Sequence, residues 1–240
     1  MKKAIELQPA HTIAHGNLGA ALGEVGDLQQ ARDVLKKALA MTPETAPQFK
    51  SRKQSLEQME TLLHLEARLA DSVKGEPKPK DFLEGLQFGK VCRLKQQYSA
   101  ALRFYEQALT NDPEDAKKLA PINFVMIARV AVLASAGRGN DPLPETDRPK
   151  YRAKALTWLQ KFVKMQEEAL EKNFNVNRYS CQRSMRELLQ HKDLASIRPP
   201  ALTNLPADER KEWENFWNEV DTLIEKADAL IPEPSPGENP

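Results

Sequence analysis

The sequence predicts an all-α fold, a solenoid of antiparallel helix pairs with an inserted linking helix and a C-terminal helical cap. Three observations carry this. Pro9 and Pro43 lie 34 residues apart, each closing a similar run of small and apolar residues, and a period of that size marks helical units that bury their apolar faces only by stacking. The apolar positions recur at i, i+4, i+7 and i+8, the spacing of a helix with one buried stripe. Glycine, asparagine and proline cluster between these periodic segments, where chain reversals are needed.

The first repeat, residues 12–43, sets the pattern. Leu18, Gly19 and Leu22 mark one helix, and Ala31, Leu35, Ala38 and Leu39 a second. Gly26-Asp27 interrupts the period and permits a tight turn. Gly19 and Ala31 are small because the two helices approach closely there. Residues 1–11 read as the last half of a second helix whose partner helix is missing, since Ala4 and Pro9 match Ala38 and Pro43; Met1 is therefore expected to be a truncation point, a mis-called start or the edge of an excised fragment. A second repeat, residues 82–115, repeats the pattern with Phe88, Gly89, Tyr98, Ala101, Tyr105, Ala108 and Pro113.

Between them, residues 44–81 form a linking helix through Leu56, Met59, Leu62, Leu65 and Leu69, which stops at the proline-rich turn Gly75 to Pro79. Residues 116–172 make a degenerate third repeat. Its first helix, Ile122 to Ala136, is apolar on most of its circumference, and a long polar loop from Gly137 separates it from Tyr151, Leu156, Leu159 and Phe162. Capping helices follow in residues 173–230, one over Arg178 to Gln190 and one from Pro206 to about Ala229, with Asp208 and Glu209 suiting the positive end of the helix dipole. The tail, residues 231–240, carries four prolines in ten residues and is expected to be disordered.

The small, large and proline positions at Leu18, Gly19, Ala31, Ala38 and Pro43 resemble the tetratricopeptide repeat. The order of linking helix, Tyr98-Ser99-Ala100-Ala101, the Gly137 turn, Ala155 to Leu159, Leu194 to Arg198 and Trp217 to Asp221 is similar to the C-terminal repeat regions of planctomycete serine/threonine protein kinases and their kinase-less relatives. That resemblance covers about Glu44 to Ala229. It implies a docking surface, in some relatives with a kinase domain far upstream.

No catalytic signature is legible. His191-Lys192-Asp193-Leu194 imitates a kinase catalytic loop, but Arg198 stands where a magnesium-binding Asn is required and no Asp-Phe-Gly follows. His11 and His15 have i, i+4 spacing without further ligands, so no metal or cofactor is expected. Cys92 and Cys181 are far apart in sequence and lie in helical patterns, which suits reduced, buried thiols. A net charge of +1 supplies no field for nucleic acid, and no apolar run is long enough for a membrane span. A cytoplasmic, non-enzymatic scaffold for a protein or peptide partner follows; the alternative is the docking or regulatory region of a serine/threonine kinase whose catalytic domain lies upstream. The inner faces of the first helices supply the candidate partner-binding residues: Asn17 and Glu24 in the first repeat, Gln87, Lys90 and Arg93 in the second. Asn17 and Gln87 can bond a peptide backbone, and Lys90 and Arg93 can pair with carboxylates or phosphate.

Overall fold

In a computed structural model the described residues are 11–73 and 78–228, and no strand occurs among them. The half-repeat at the N-terminus (apart from His11), most of the Gly75 to Pro79 turn and the proline-rich tail lie outside them. The chain divides into two compact units, residues 1–116 and 117–240.

The first unit begins with a hairpin of α1 (Thr12–Glu24) and α2 (Leu28–Ala40). Side chains at the helix starts satisfy backbone donors that the helix itself leaves unpaired. The imidazole Nδ1 of His11 accepts from Ala14 N–H at 3.2 Å, and the Asp27 carboxylate accepts from Gln30 N–H at 3.2 Å. The helices pack as closely as the small residues predict: Ala31 is fully buried, and a Cβ on Gly19 would stand 2.6 Å from Leu35 Cγ.

The linking helix α3 (Phe49–Val73) packs against α2 and against one side of α1. Two glycines make room for it on α1. Arg52 Nε lies 3.5 Å from the Cβ position of Gly16, and Met59 Sδ lies 2.9 Å from that of Gly23. Arg52 is a buried cation, and its guanidinium donates to Thr42 Oγ1, whose hydroxyl in turn donates to the Ala38 carbonyl at 2.6 Å.

The second hairpin is α4 (Phe82–Leu94) with α5 (Tyr98–Asn111). Each position of the first hairpin returns 70 residues later, Gly19 as Gly89, Ala31 as Ala101 and Leu35 as Tyr105. A Cβ on Gly89 would overlap the Tyr105 ring. Phe88 and Phe104 stack with centroids 5.2 Å apart. Arg68 of α3 lies over the Phe88 ring and donates to Glu84 Oε1 at 2.7 Å, while Lys80 N–H donates to Glu84 Oε2 at 2.7 Å. Burial pushes the Glu84 carboxyl up, but the guanidinium and the backbone N–H outweigh burial and hold it below the ordinary carboxylate range. A short helix, α6 (Pro113–Lys117), closes the unit.

The second unit starts with α7 (Pro121–Ser135) and α8 (Arg148–Lys172), joined by a loop containing a 3₁₀ turn at Glu145–Asp147. Phe124, Ile127, Ala128 and Ala131 are buried, as expected of a helix apolar all round, although Ile122 in its first turn is exposed. The next helix, α9 (Phe174–Gln190), starts four residues before the expected Arg178. Its first turn is nearly continuous with α8, and the Asn177 side chain donates back to the Ala169 carbonyl at 2.6 Å. After two 3₁₀ segments, Lys192–Ile197 and Ala201–Asn204, α10 (Ala207–Asp228) packs Trp213, Phe216, Trp217, Val220 and Leu223 inward. The indole of Trp217 donates to the Ile197 carbonyl at 2.6 Å.

The kinase-like His191 to Leu194 segment serves structure here. Asp193 accepts two bonds from the Arg129 guanidinium, at 2.7 and 3.0 Å, which ties the 3₁₀ segment to α7. Burial and the nearby Arg129 charge push the His191 imidazole below its ordinary value, with Asp193 opposing.

Helices α1, α4 and α7 all end in one bonding pattern. Asp27, Gln97 and Arg138 N–H donate to the carbonyls of Leu22, Cys92 and Leu133, and the residues before them, Gly26, Gln96 and Gly137, have φ of 86°, 58° and 70°. These are Schellman-type caps, which satisfy the last carbonyls through one left-handed residue. The same cap thus recurs on all three helices, although α7 carries different side chains.

Candidate functional site

The candidate residues all belong to α1 and α4, and the close approach of the two hairpins decides which of them meet. Gly26 sits against the end of α4: a Cβ there would stand 2.9 Å from the Leu94 carbonyl oxygen. That contact brings the C-terminal turns of α1 and α4 together. Glu24 consequently faces α4, with Oε2 at 3.9 Å from the Arg93 guanidinium.

Lys90 belongs to the same cluster. Burial pushes its ammonium below the ordinary lysine value, Glu24 pulls it back up, and Arg93 pushes it down. Two cations therefore share one carboxylate, and that carboxylate is the most exposed of the three groups. Water screens the Glu24–Arg93 pair, so its strength is small and the cationic side remains available to a further anion. Beneath it, the fully buried Tyr105 hydroxyl lies beside the Arg93 guanidinium without a well-formed hydrogen bond, and Arg93 Nε and Gln97 Oε1 are likewise buried without one. Burial raises the Tyr105 phenol far above its ordinary value, so it stays protonated and can donate.

Asn17 and Gln87 stand apart from this cluster, two turns before Glu24 on α1 and one turn before Lys90 on α4. Asn17 is exposed and Gln87 half-buried. They are register equivalents, 70 residues apart, and each follows an exposed apolar residue by four positions: Ile13 is 57% exposed and Leu83 67%. Each helix thus offers an apolar side chain and a carboxamide on one face. Lys90 is the register partner of Ala20, and Arg93 that of Gly23, the residue covered by Met59 of the linking helix.

Sequence reasoning named the cluster's three charged residues but missed the buried polar layer of Tyr105 and Gln97. Tyr105 reads as an ordinary packing residue because its register equivalent is Leu35. The extra hydroxyl is the only sequence signal of a polar floor.

Tetratricopeptide-repeat family models match residues 13–45 and residues 87–117. Both hairpins are tetratricopeptide-type repeats. No curated protein matches the chain. The two matches concern the repeats themselves and carry no link to kinase-associated regions. Tetratricopeptide repeats support a protein-interaction scaffold, and among the described residues no helix is long and apolar enough to cross a membrane.

Proposed function

We propose that the chain is a non-enzymatic scaffold that binds an acidic protein segment or peptide across the α1–α4 face. The observation that carries this reading is the paired arrangement of Ile13 with Asn17 and Leu83 with Gln87, ending at the cationic cluster of Lys90 and Arg93. The carboxamides offer a donor and an acceptor each to a peptide main chain, and the exposed apolar residues offer contact area. Lys90 and Arg93 supply charge-assisted bonds to a carboxylate, with the Arg93 fork able to take it bidentately. Glu24 acts as an internal competitor that an incoming carboxylate displaces.

The two bonds from Arg129 to Asp193 support a structural role for the one residue in a kinase-loop-like context, in keeping with a binding reading. An array of acidic, neutral and basic peptides probed with the full chain tests the reading. Acidic peptides should be retained, and Lys90→Ala with Arg93→Ala should weaken them at least tenfold, equivalent to about 1.4 kcal/mol. Glu24→Gln should strengthen them. Retention that ignores all three changes would refute the assignment.

A further inference from the structure

The His191-Lys192-Asp193 stretch, kinase-like in sequence, is built as a junction. His191 stands between α9 and the 3₁₀ segment Lys192–Ile197, and its Nδ1 accepts from the Asp193 N–H at 3.2 Å. A backbone N–H can only donate, so Nδ1 carries a lone pair and the imidazole is neutral, with its proton on Nε2. The carboxylate of the same Asp193 takes both Arg129 bonds, which fasten the segment to α7. Asp193 is thus held twice, at its main chain by His191 and at its side chain by Arg129. His11 caps α1 in a similar way at the Ala14 N–H, but alanine has no side chain to carry the hold on to a second helix.

Protonation sets these two holds against each other. An imidazolium donates from both ring nitrogens, so Nδ1 would aim a proton at the Asp193 N–H and the cap is lost. The carboxylate beside it is Asp193 Oδ2, 3.8 Å from Nδ1, and that oxygen already takes both Arg129 bonds. The surrounding charges oppose a further cation. Arg129 is the only charged residue of α7, Lys192 is the next residue in the chain, and Arg198 donates to the His191 carbonyl at 2.9 Å. The segment Ala201–Asn204, also packed here, carries no charge, and Glu187 on α9 is exposed and taken by Arg183. Three cations therefore face the ring, and the carboxylate that answers them is held by one of them.

We propose that His191 is a proton-sensitive latch, whose neutral ring holds the Lys192–Ile197 segment on α7 and whose protonation in mild acid releases it. Burial and the Arg129 charge outweigh Asp193 and hold the imidazole below its ordinary value of 6.5. A group lowered in this way contributes its full stability above the ordinary imidazole range, and that contribution is lost as pH falls through the folded value. The segment is therefore closed at neutral pH and loosens towards about pH 5. Leu194 and Ile197 are buried, and the Ile197 carbonyl takes the Trp217 indole bond. Release uncovers both side chains and frees an indole of α10.

Hydrogen exchange of the full chain, expressed as protection relative to the free-peptide rate at each pH, tests the latch. Protection of residues 192–198 should fall roughly fivefold or more between about pH 7 and about pH 5, while α4 and α5, which contain no histidine, keep theirs. His191→Asn retains an acceptor for the Asp193 N–H without a titrating group. It should keep the protection seen at neutral pH and abolish the fall. Followed by NMR, the His191 ring should titrate below the ordinary histidine value in the parent chain, and at higher pH in Arg129→Gln, where one cation is gone and Asp193 is released to the ring. Unchanged protection in acid would overturn the proposal, as would an equal fall in His191→Asn, or a parent ring that titrates at or above the ordinary value.

Discussion

The two hairpins of the first unit share a register yet solve the same contacts with different residues. In the first, Gly19 meets Leu35, and Gly26 supplies the left-handed cap. In the second, Gly89 meets Tyr105, and Gln96 adopts the left-handed conformation without being glycine. The spacing of the backbones is thus set by the small residue of each pair, while its large partner is free to change. That freedom places a phenol under Arg93 in the second hairpin, where the first has only a methyl-ended side chain. One architecture therefore yields one bland face and one charged face.

Adding a single methyl group breaks the comparison most sharply. Gly89→Ala drives a Cβ into a rigid, fully buried aromatic ring, and Gly19→Ala into a branched aliphatic chain that can rotate. Overpacking costs ~1–3 kcal/mol, partly offset by about 1 kcal/mol of helix propensity gained over glycine. Urea denaturation should show a net loss of about 2 kcal/mol for Gly89→Ala and close to none for Gly19→Ala. Equal losses would mean that the ring yields as easily as the aliphatic chain.

A second asymmetry is electrostatic. The second hairpin is anchored to the linking helix through the Arg68–Glu84 pair, with Glu84 almost fully buried, whereas the first uses Arg52 on a neutral hydroxyl. Because the Glu84 carboxyl is held below its ordinary value in the folded chain, its contribution is complete above the unfolded carboxylate range and is lost as pH falls through it. Arg68→Met should cost about 1–2 kcal/mol at neutral pH, and the gap from the parent chain should shrink in acid. Thermal midpoints measured from pH 7 down to 3 check this. For Arg52→Met no comparable narrowing is expected, since among the described residues its bond is to the neutral Thr42 hydroxyl.

These contrasts also separate what the residues announce from what they conceal. Helix pairs, small contact positions and the glycine turns were legible because each rests on local spacing or on a conformation that only certain residues tolerate. The early start of α9 was not, since Phe174 to Asn177 is held by a long-range bond to Ala169 rather than by an apolar stripe; Val176 there is exposed. Within the candidate site, the charged residues could be named individually, but the meeting of Glu24 with Arg93 depends on Gly26 seating against Leu94.

The smallest expected effect concerns the cap that Gln96 makes in place of a glycine. A left-handed conformation costs a non-glycine residue roughly 1–2 kcal/mol through crowding between Cβ and the carbonyl. Glycine removes that crowding but gives the unfolded chain more freedom, which offsets ~0.4–1 kcal/mol of the gain. Gln96→Gly should therefore stabilise the first unit by about 0.5–1 kcal/mol, read as a shift in urea midpoint with unchanged slope. Gly26 does not offer the reverse experiment on equal terms, because a side chain there meets the Leu94 carbonyl as well as an unfavourable φ. A loss of stability in Gln96→Gly would show that the glutamine side chain supplies contacts outweighing its backbone cost, and that the second hairpin pays at this turn for something the first does not need.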